Sequence, residues 1–328
     1  MERVFTGLKP TGRLTLGNYL GAIRPLQDLA SQPDRDVLVC VADLHALTVE
    51  HNPANVRSLT SELAATLIAC GIGDQATLFV QSSVTQHTEL SYLLECVATY
   101  GEMRRMIQFK EKSSGQDSTR LSLLTYPALM AADILAYQTD IVPVGDDQKQ
   151  HLELTITVAR RFNAEYGPVF TVPRMVTPAQ GARVKDLRDP KSKMGKTNAD
   201  PAGIIYLMDD PDAIRTKVRK AVTDSDPSLT FDAEDRPGVA NLATIIGALQ
   251  GQDPAECLDG LKGSRELKQL ATDVIIDTVD PIRRKCLDLQ NNDSDHLSEV
   301  LSQGGDAVRP IAEATTVATK QALGLLTV

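Results

Sequence analysis

The order of apolar patterns in this 328-residue chain predicts an α/β protein, a doubly wound parallel sheet followed by an α-helical C-terminal domain. Three observations carry that prediction. Short continuous apolar runs alternate with helical stripes through about residue 170, the runs stop at glycine or polar residues, and past Pro201 the strand signals fade while helical periods persist.

Taken in order, Arg3–Leu8 (RVFTGL) reads as a buried strand ending at a glycine, and Leu16, Leu20, Ile23 and Leu26 then share one helical stripe. Asp36–Ala42 (DVLVCVA) is a second apolar strand. Asn52 as N-cap and Pro53 in the first turn open a helix marked by Val56, Leu59, Leu63, Leu67 and Cys70 and stopped by Gly71. Ala76–Gln81 (ATLFVQ) is a third strand, with a helix through Leu90, Leu93, Leu94 and Val97 behind it. Leu123–Gln138 reads as helix and Ile141–Val144 as a short strand ending at Gly145. Leu152, Leu154, Ile156 and Val158 alternate by twos, as a strand does, but the run Asp146–Tyr166 is long and free of glycine and proline, which predicts a helix. Leu267, Leu270 and Val274 begin a helix that Asp280-Pro281 caps or kinks, with Ile282, Cys286 and Leu289 continuing it. Val308, Ile311, Thr315 and Ala322 mark a terminal helix. The expected division is a sheet domain over 1–200 and a helical domain over 201–328. In such sheets the ligand lies at the carboxyl ends of the strands.

Composition narrows the function. Lys and Arg number 34 against 43 Asp and Glu, and a net charge of −9 excludes binding nucleic acid through overall charge while leaving room for a local basic face. A chain 42% hydrophobic and 23% charged builds a packed core and is neither fibrous nor disordered. No run reaches the roughly 18–20 apolar residues of a membrane span, and the opening MERVFTGLKPTGR lacks the apolar core of a signal peptide. A cytosolic protein is expected. Cys40, Cys70, Cys96, Cys257 and Cys286 form no close pair, which argues for reduced thiols and against a disulfide framework or a zinc site.

The pattern sets apart two polar clusters. Thr6-Gly7-Leu8-Lys9-Pro10-Thr11-Gly12, then Thr15-Leu16-Gly17-Asn18, joins the first strand to the first helix. Two glycines let a ligand approach the backbone, and the helix start turns its N–H groups and positive dipole end toward it. Lys9, Thr11, Thr15 and Asn18 add donors suited to phosphate. A glycine-rich turn with polar filler has the same look, and neither the Walker nor the dinucleotide fingerprint is present. The second cluster, Arg183–Thr197, sets Arg183, Lys185, Arg188, Lys191, Lys193 and Lys196 against Asp186 and Asp189. It ends in Lys193-Met194-Gly195-Lys196-Thr197, two ammonium groups three residues apart, which fits a polyphosphate site as well as a solvated loop.

As a pair, the Thr-Leu-Gly-Asn helix start and the Lys-Met-x-Lys loop resemble the signatures of class I aminoacyl-tRNA synthetases, usually His-Ile-Gly-His and Lys-Met-Ser-Lys-Ser. Thr6–Ala22, Asp43–Ala46, Gly101–Lys112, Leu124–Leu135, Val142–Glu153 and Ala221–Asp226 extend the resemblance over essentially the whole chain, to the bacterial tryptophanyl-tRNA synthetases.

That resemblance implies a Rossmann-like catalytic domain over 1–200, a helical anticodon-binding domain over 201–328, and a homodimer whose tRNA(Trp) spans both subunits. The implied reaction is in-line attack of the L-tryptophan carboxylate on the α-phosphate of ATP, release of pyrophosphate, and acyl transfer to the terminal ribose of tRNA. By matched position Lys193, Lys196, Thr15 and Asn18 form the catalytic set. ATP would meet Lys9, Pro10, Thr11, Gly17 and Asn18 on one side, Gly145, Asp146, Asp147 and Val184 on another, and Lys193, Met194, Gly195, Lys196 and Thr197 on the loop. Mg2+ would be held mainly by the ATP phosphates, with no metal site of the protein's own. Around tryptophan would stand Asp133 with Phe5, Gly7, His45, Tyr126, Met130, Val142, Val144 and Gln148. DNA and membrane are not expected partners.

The chemistry of Asp133 agrees. A carboxylate in an apolar helix is costly unless paired or hydrogen-bonded, and indole carries one N–H and no acceptor, so a buried carboxylate suits it. A carboxylate capping a neighbouring backbone is the plainer alternative. Asp146 and Asp147 equally fit an acidic first turn of a surface helix, and Arg215, Lys217, Arg219 and Lys220 fit a solvated amphipathic face as well as a basic one.

The sequence departs from the family at four points. Lys9 and Leu44 stand where glutamines are usual, and Gly195 and Thr197 replace two serines. Lys9 adds positive charge beside the expected carboxylate and phosphates, and Gly195 exchanges a hydroxyl for backbone freedom. Two other functions share features with this reading: a tyrosyl-tRNA synthetase, whose phenol both donates and accepts and is better matched by a hydroxyl, and a paralogue that binds tryptophan or nucleotide without charging tRNA.

Overall fold

The computed structural model describes residues 1–113, 119–145, 148–176, 183–195, 200–224, 226 and 228–326. Among them β1 (Glu2–Leu8), β2 (Arg35–Val41), β3 (Thr77–Val80), β4 (Ile141–Pro143) and β5 (Arg174–Val176) form one sheet in the order β3-β2-β1-β4-β5. Every pairing is parallel, with Phe5 opposite Leu38 and Val142 opposite Met175.

Successive side chains of a strand point to opposite faces. Val4, Val37, Val39, Val41, Leu78 and Ile141 therefore enter one apolar cluster, and Phe5, Leu38, Cys40, Phe79 and Val142 another. Because helices cover both faces, the strands read as unbroken apolar runs, which is why the first four were predictable to within two residues. β5 was not. It comes after Pro173, spans three residues, and is exposed or half-buried throughout, so it has no apolar run of its own.

From β1 the chain runs outward through β2 and β3, then returns to lay β4 on the other side of β1. Connections diverge at that point, beyond Leu8 and Pro143, which is where sheets of this topology place a ligand.

The first helix begins as an α turn (Leu16–Asn18), widens to a π turn (Tyr19–Ile23) and resumes as Arg24–Ala30; the stripe Leu16, Leu20, Ile23 and Leu26 is buried as expected. Pro53–Ala69 starts at Asn52, whose side chain accepts from the Ala54 N–H at 2.8 Å, and ends before Gly71, which takes φ +80°. The helix expected from Asp146 is Lys149–Tyr166; Asp146 and Asp147 lie outside the described residues. Its buried set, His151, Leu152, Leu154, Thr155, Val158, Ala159 and Phe162, keeps a helical period, and Ile156 is only half-buried. Asp280-Pro281 neither caps nor divides the next helix: Ser264–Asn291 runs through it. Proline costs a helix interior about 3 kcal/mol, but Val279, Ile282 and Cys286 on either side are buried, and their packing holds the helix together.

The chain past residue 201 does not sit apart from the sheet. One apolar cluster continues from Val4 and Leu78 through Ile245 and Leu267 to Cys286. The terminal helix Ser294–Ala322 returns to the edge strand β3, where Gly304 lies so close that an added Cβ would sit 1.9 Å from the Leu78 carbonyl oxygen. Toward its other end Lys320 pairs with Glu89 of the helix Gln86–Glu95 at 2.9 Å. No helix of the described residues is long and apolar enough to cross a membrane. Gly304→Ala must push this helix off β3 and should cost about 1–3 kcal/mol or more, read as a lower urea midpoint with an unchanged slope; an unchanged midpoint would contradict the close packing.

Candidate active site

The candidate site is built from the segments that leave the carboxyl ends of the strands. After β1, Lys9 is half-buried, Pro10 buried and Thr11 exposed, with the Thr11 N–H donating to the Lys9 carbonyl at 2.9 Å. The Lys9 ammonium donates to Thr48 Oγ1 at 3.4 Å. Burial, and then the nearby Lys112, bring its pKa down to about 8. Thr15 caps the helix: its Oγ1 accepts from the Asn18 N–H at 3.1 Å, while the Asn18 side-chain oxygen takes the Thr15 N–H at 3.1 Å. Thr15 is fully buried, so its hydroxyl builds the helix start and does not project into the site; the Asn18 amide nitrogen remains to donate.

The second cluster comes directly onto this helix start. A Cβ on Gly17 would lie 2.8 Å from the Met194 carbonyl oxygen. Residues 184–194 form an antiparallel turn: Lys185 pairs with Lys193, the Met194 N–H donates to the Val184 carbonyl at 3.1 Å, and the Asp186 N–H donates to the Ser192 carbonyl at 2.9 Å. Val184 and Met194 are buried, Lys193 exposed and Gly195 half-buried. Lys196 and Thr197, like Asp146 and Asp147, lie outside the described residues.

Two supports of this region lie past residue 200. Tyr206 bridges Thr15, and the Leu16 N–H donates to the Ile205 carbonyl at 2.8 Å. Asn241, on the helix Pro237–Gln250 and buried, clamps both sides of Lys185: its oxygen accepts the Lys185 N–H at 2.8 Å and its nitrogen donates to the Lys185 carbonyl at 3.0 Å. Lys217, read as part of a basic face, is instead paired with Asp209 at 2.6 Å over the Tyr206 ring, and Arg215 pairs with Asp212 at 2.8 Å. Opposite charges nearby consume half of that basic set.

On the other face of the sheet Asp133 is buried in Leu121–Leu135. Its Oδ1 accepts from Gln81 Nε2 at 2.7 Å and His87 Nδ1 at 2.6 Å, and its Oδ2 from His45 Nε2 at 2.8 Å. Burial pushes its pKa up, but the hydrogen bonds from His45 and His87 outweigh that and hold the carboxyl well below the usual range. Phe5, Val142 and Val144 are buried around it and Met130 half-buried. Gly7 lies against Phe5, 3.7 Å from a built Cβ to its ring. The Tyr126 hydroxyl meets His151, and its ring stands edge-on to His45 at 6.2 Å. Gln148 is half-buried, its N–H donating to the carbonyl of the exposed Gly145 at 3.1 Å. The two sides join through Thr48, which receives Lys9 and donates to the His45 carbonyl at 2.9 Å. Among the described residues no cluster of His, Cys, Asp or Glu could hold a metal ion.

Sequence reasoning missed Gln81, His87, Tyr137, Asn241 and Tyr206. Gln81 ends the third strand and was open to the rule that places ligands at strand ends; the others carry no local signal.

A glycine-bearing turn after β1, a lysine-bearing hairpin packed on the helix it opens, and a parallel sheet of order 3-2-1-4-5 mark a class I synthetase catalytic fold. The model of the family described as tRNA synthetases class I (W and Y) matches residues 1–279. Tryptophan–tRNA ligase 1 of Streptomyces coelicolor is 50% identical over 331 residues, covering 99% of this chain and 98% of that protein. The tryptophan–tRNA ligase of Caldanaerobacter subterraneus is 44% identical over 329 residues, 99% of both. Tryptophanyl-tRNA synthetase of Mycoplasma pneumoniae superposes with a TM-score of 0.86 at 35% identity, over 99% of this chain and 98% of that one. That of Campylobacter jejuni, complexed with ADP and tryptophan, superposes with a TM-score of 0.84 at 29% identity, over 98% and 100%. The chain therefore belongs to the class I tRNA synthetases for tryptophan and tyrosine, and within them to the bacterial tryptophan–tRNA ligases.

Removing the Asn241 amide leaves the part-buried N–H and C=O of Lys185 without these partners, at up to about 1–3 kcal/mol each. Asn241→Ala should lower unfolding stability on that scale in urea titration, and Asn241→Asp, which sets a second acceptor against the Lys185 carbonyl, by at least as much.

Proposed function

We propose that the protein joins L-tryptophan to tRNA(Trp) in two steps, forming tryptophanyl-adenylate from ATP and passing the acyl group to the terminal ribose. What carries this reading is the meeting of Gly17 with Met194, continued through Lys9, Thr48 and His45 to the buried Asp133. The tryptophan carboxylate attacks the α-phosphate in line and pyrophosphate leaves. No covalent enzyme intermediate is needed, so the protein's work is positioning and charge stabilisation.

In this reading Asn18 and Lys9 hold the phosphate side, and Lys193 and Lys196 neutralise the leaving pyrophosphate. Thr15 acts through Asn18. Mg2+ rides on the phosphates and supplies further positive charge there. The Val184 backbone, Gly145, Asp146 and Asp147 flank the nucleoside. Asp133 accepts the indole N–H between Phe5, Met130, Val142 and Val144 with His45 beside it, while Tyr126 and Gln148 face the amino acid's polar end. A phenol is poorly served there, because its O–H also seeks a donor and the ionised Asp133 is acceptor-only.

Residues 201–328 read the anticodon, and the protein acts as a cytosolic homodimer. Exposed Tyr92, Tyr100, Ile107 and Leu121, on neighbouring helices, support an apolar face for the second copy.

The test of the reading is pyrophosphate exchange and then tRNA charging. Tryptophan should support exchange and tyrosine should not, and tRNA(Trp) should accept the acyl group. Equal exchange with tyrosine would refute the pocket, and adenylate without charging would mark a non-charging paralogue. Lys196→Ala should slow exchange by on the order of 10²–10³ fold, the scale of one preorganised charge-stabilising donor; near wild-type exchange would remove it from the site.

Lys9 also predicts a pH dependence. Its ammonium is charged below about 8 and neutral above, so its attraction for ATP is lost as pH rises through that value. The value of kcat/KM for ATP, which reports free-enzyme ionisations, should fall through a step near pH 8 that Lys9→Gln abolishes. Persistence of the step in Lys9→Gln assigns it elsewhere.

A further inference from the structure

We propose that Gln81, His87 and Tyr137 are positioning residues for indole recognition, holding the Asp133 carboxylate so that one acceptor position on Oδ2 is presented to a ring N–H. The inference rests on the reading of Asp133 as the indole partner and deepens it.

The geometry assigns each bond. Gln81 Oε1 accepts the Leu44 N–H at 3.0 Å, so the other end of that amide, Nε2, is the donor facing Asp133 Oδ1 at 2.7 Å. His87 Nδ1 lies 2.6 Å from the same oxygen and must donate to it, since an ionised carboxylate only accepts. In the neutral ring the remaining nitrogen, Nε2, is then an acceptor, and the Tyr137 hydroxyl 2.7 Å away donates to it. A carboxylate oxygen has two strong acceptor positions. Those of Oδ1 are filled from behind by Gln81 and His87; among the described residues Oδ2 takes His45 alone, which leaves it one.

Gln81, His87 and Tyr137 are each fully buried, so none reaches substrate directly. Their rings are locked by packing: Phe79 stands 6.1 Å from His87 and 5.5 Å from Tyr137, and Tyr137 stacks on the pocket wall Phe5 at 5.9 Å. The ionisable groups facing Asp133 are His45 from Leu44–Thr48, His87 from Gln86–Glu95, Cys40 from β2 and Tyr137 beyond Leu121–Leu135. Burial pushes the Cys40 thiol and the Tyr137 phenol up, so both stay neutral and act as packing or as dipoles. What keeps Asp133 ionised against its burial is therefore its hydrogen-bond donors.

The experiment compares L-tryptophan with L-benzothienylalanine, in which sulfur replaces the ring N–H, by calorimetric titration of the full-length protein at one neutral pH. Wild type should prefer tryptophan by on the order of tenfold or more, the scale of one hydrogen bond to a charged group. Gln81→Met keeps shape and removes the donor to Asp133 together with the acceptor of the Leu44 N–H. Its ratio should fall several-fold, while affinity for benzothienylalanine stays within about twofold. Tyr137→Phe removes only the hydroxyl anchoring His87; it should move the ratio in the same direction by less, and it carries the test if Gln81→Met does not fold. A merely structural role would weaken both ligands alike. Variants that fold and keep the wild-type ratio overturn the positioning role alone. A wild type that binds both ligands equally overturns the indole contact and this proposal with it.

Discussion

An ionised carboxylate only 3% exposed can place its charge nowhere but in hydrogen bonds, and in this protein that requirement organises the carboxyl ends of the sheet. Asp133 draws Gln81 from the end of β3, His45 from the turn after β2 and His87 from the helix behind β3 toward one point. Withdrawing a partner from a buried charge costs on the order of 3–5 kcal/mol, so these elements cannot drift independently. The apolar walls are set by strand alternation: Phe5 and Val142 point to the Asp133 face because their neighbours Val4 and Ile141 point to the other.

The side where Gly17 meets Met194 is built on a different principle. There the determining contacts are backbone to backbone. Gly17 admits the Met194 carbonyl because it lacks a Cβ, and the hairpin bearing Met194 is fixed by an amide from Asn241. Charge enters at Lys9, Lys193 and Asn18, on a frame that segments from both sides of residue 200 assemble. The Asp133 side is built on the sheet and its helices, with Val308 and Ala312 of the terminal helix in the same apolar cluster; the Gly17 side rests on Tyr206 and Asn241. The short path Lys9–Thr48–His45 links the two sides.

Much of this is legible in the sequence, for reasons that can be stated residue by residue. β1 to β4 are readable because a strand buried on both faces must be apolar throughout, and Asn52-Pro53 is readable because capping is a local event. β5 is not, since three partly exposed residues carry no period. The passage of Ser264–Asn291 through Pro281 is not, since the packing of Val279, Ile282 and Cys286 that outweighs the proline comes from distant segments. Lys217 looks available on its own helix; only the fold shows Asp209 and Tyr206 beside it.

The amino-acid order alone determined the first four strands, where helices start, the two glycine- and lysine-bearing stretches as polar clusters, and that Asp133 is an acid in apolar surroundings. Each of these depends on residues within a turn or a pleat of one another, or on a motif contiguous in the chain. The tertiary structure decided what surrounds that acid. Gln81 and His87 are 52 and 46 residues from Asp133 in sequence, and Asn241 is 56 from Lys185. A hydrogen bond depends on distances of a few tenths of an ångström, which no local pattern encodes across such separations; those distances arise only once β1, β2 and β3 stand side by side.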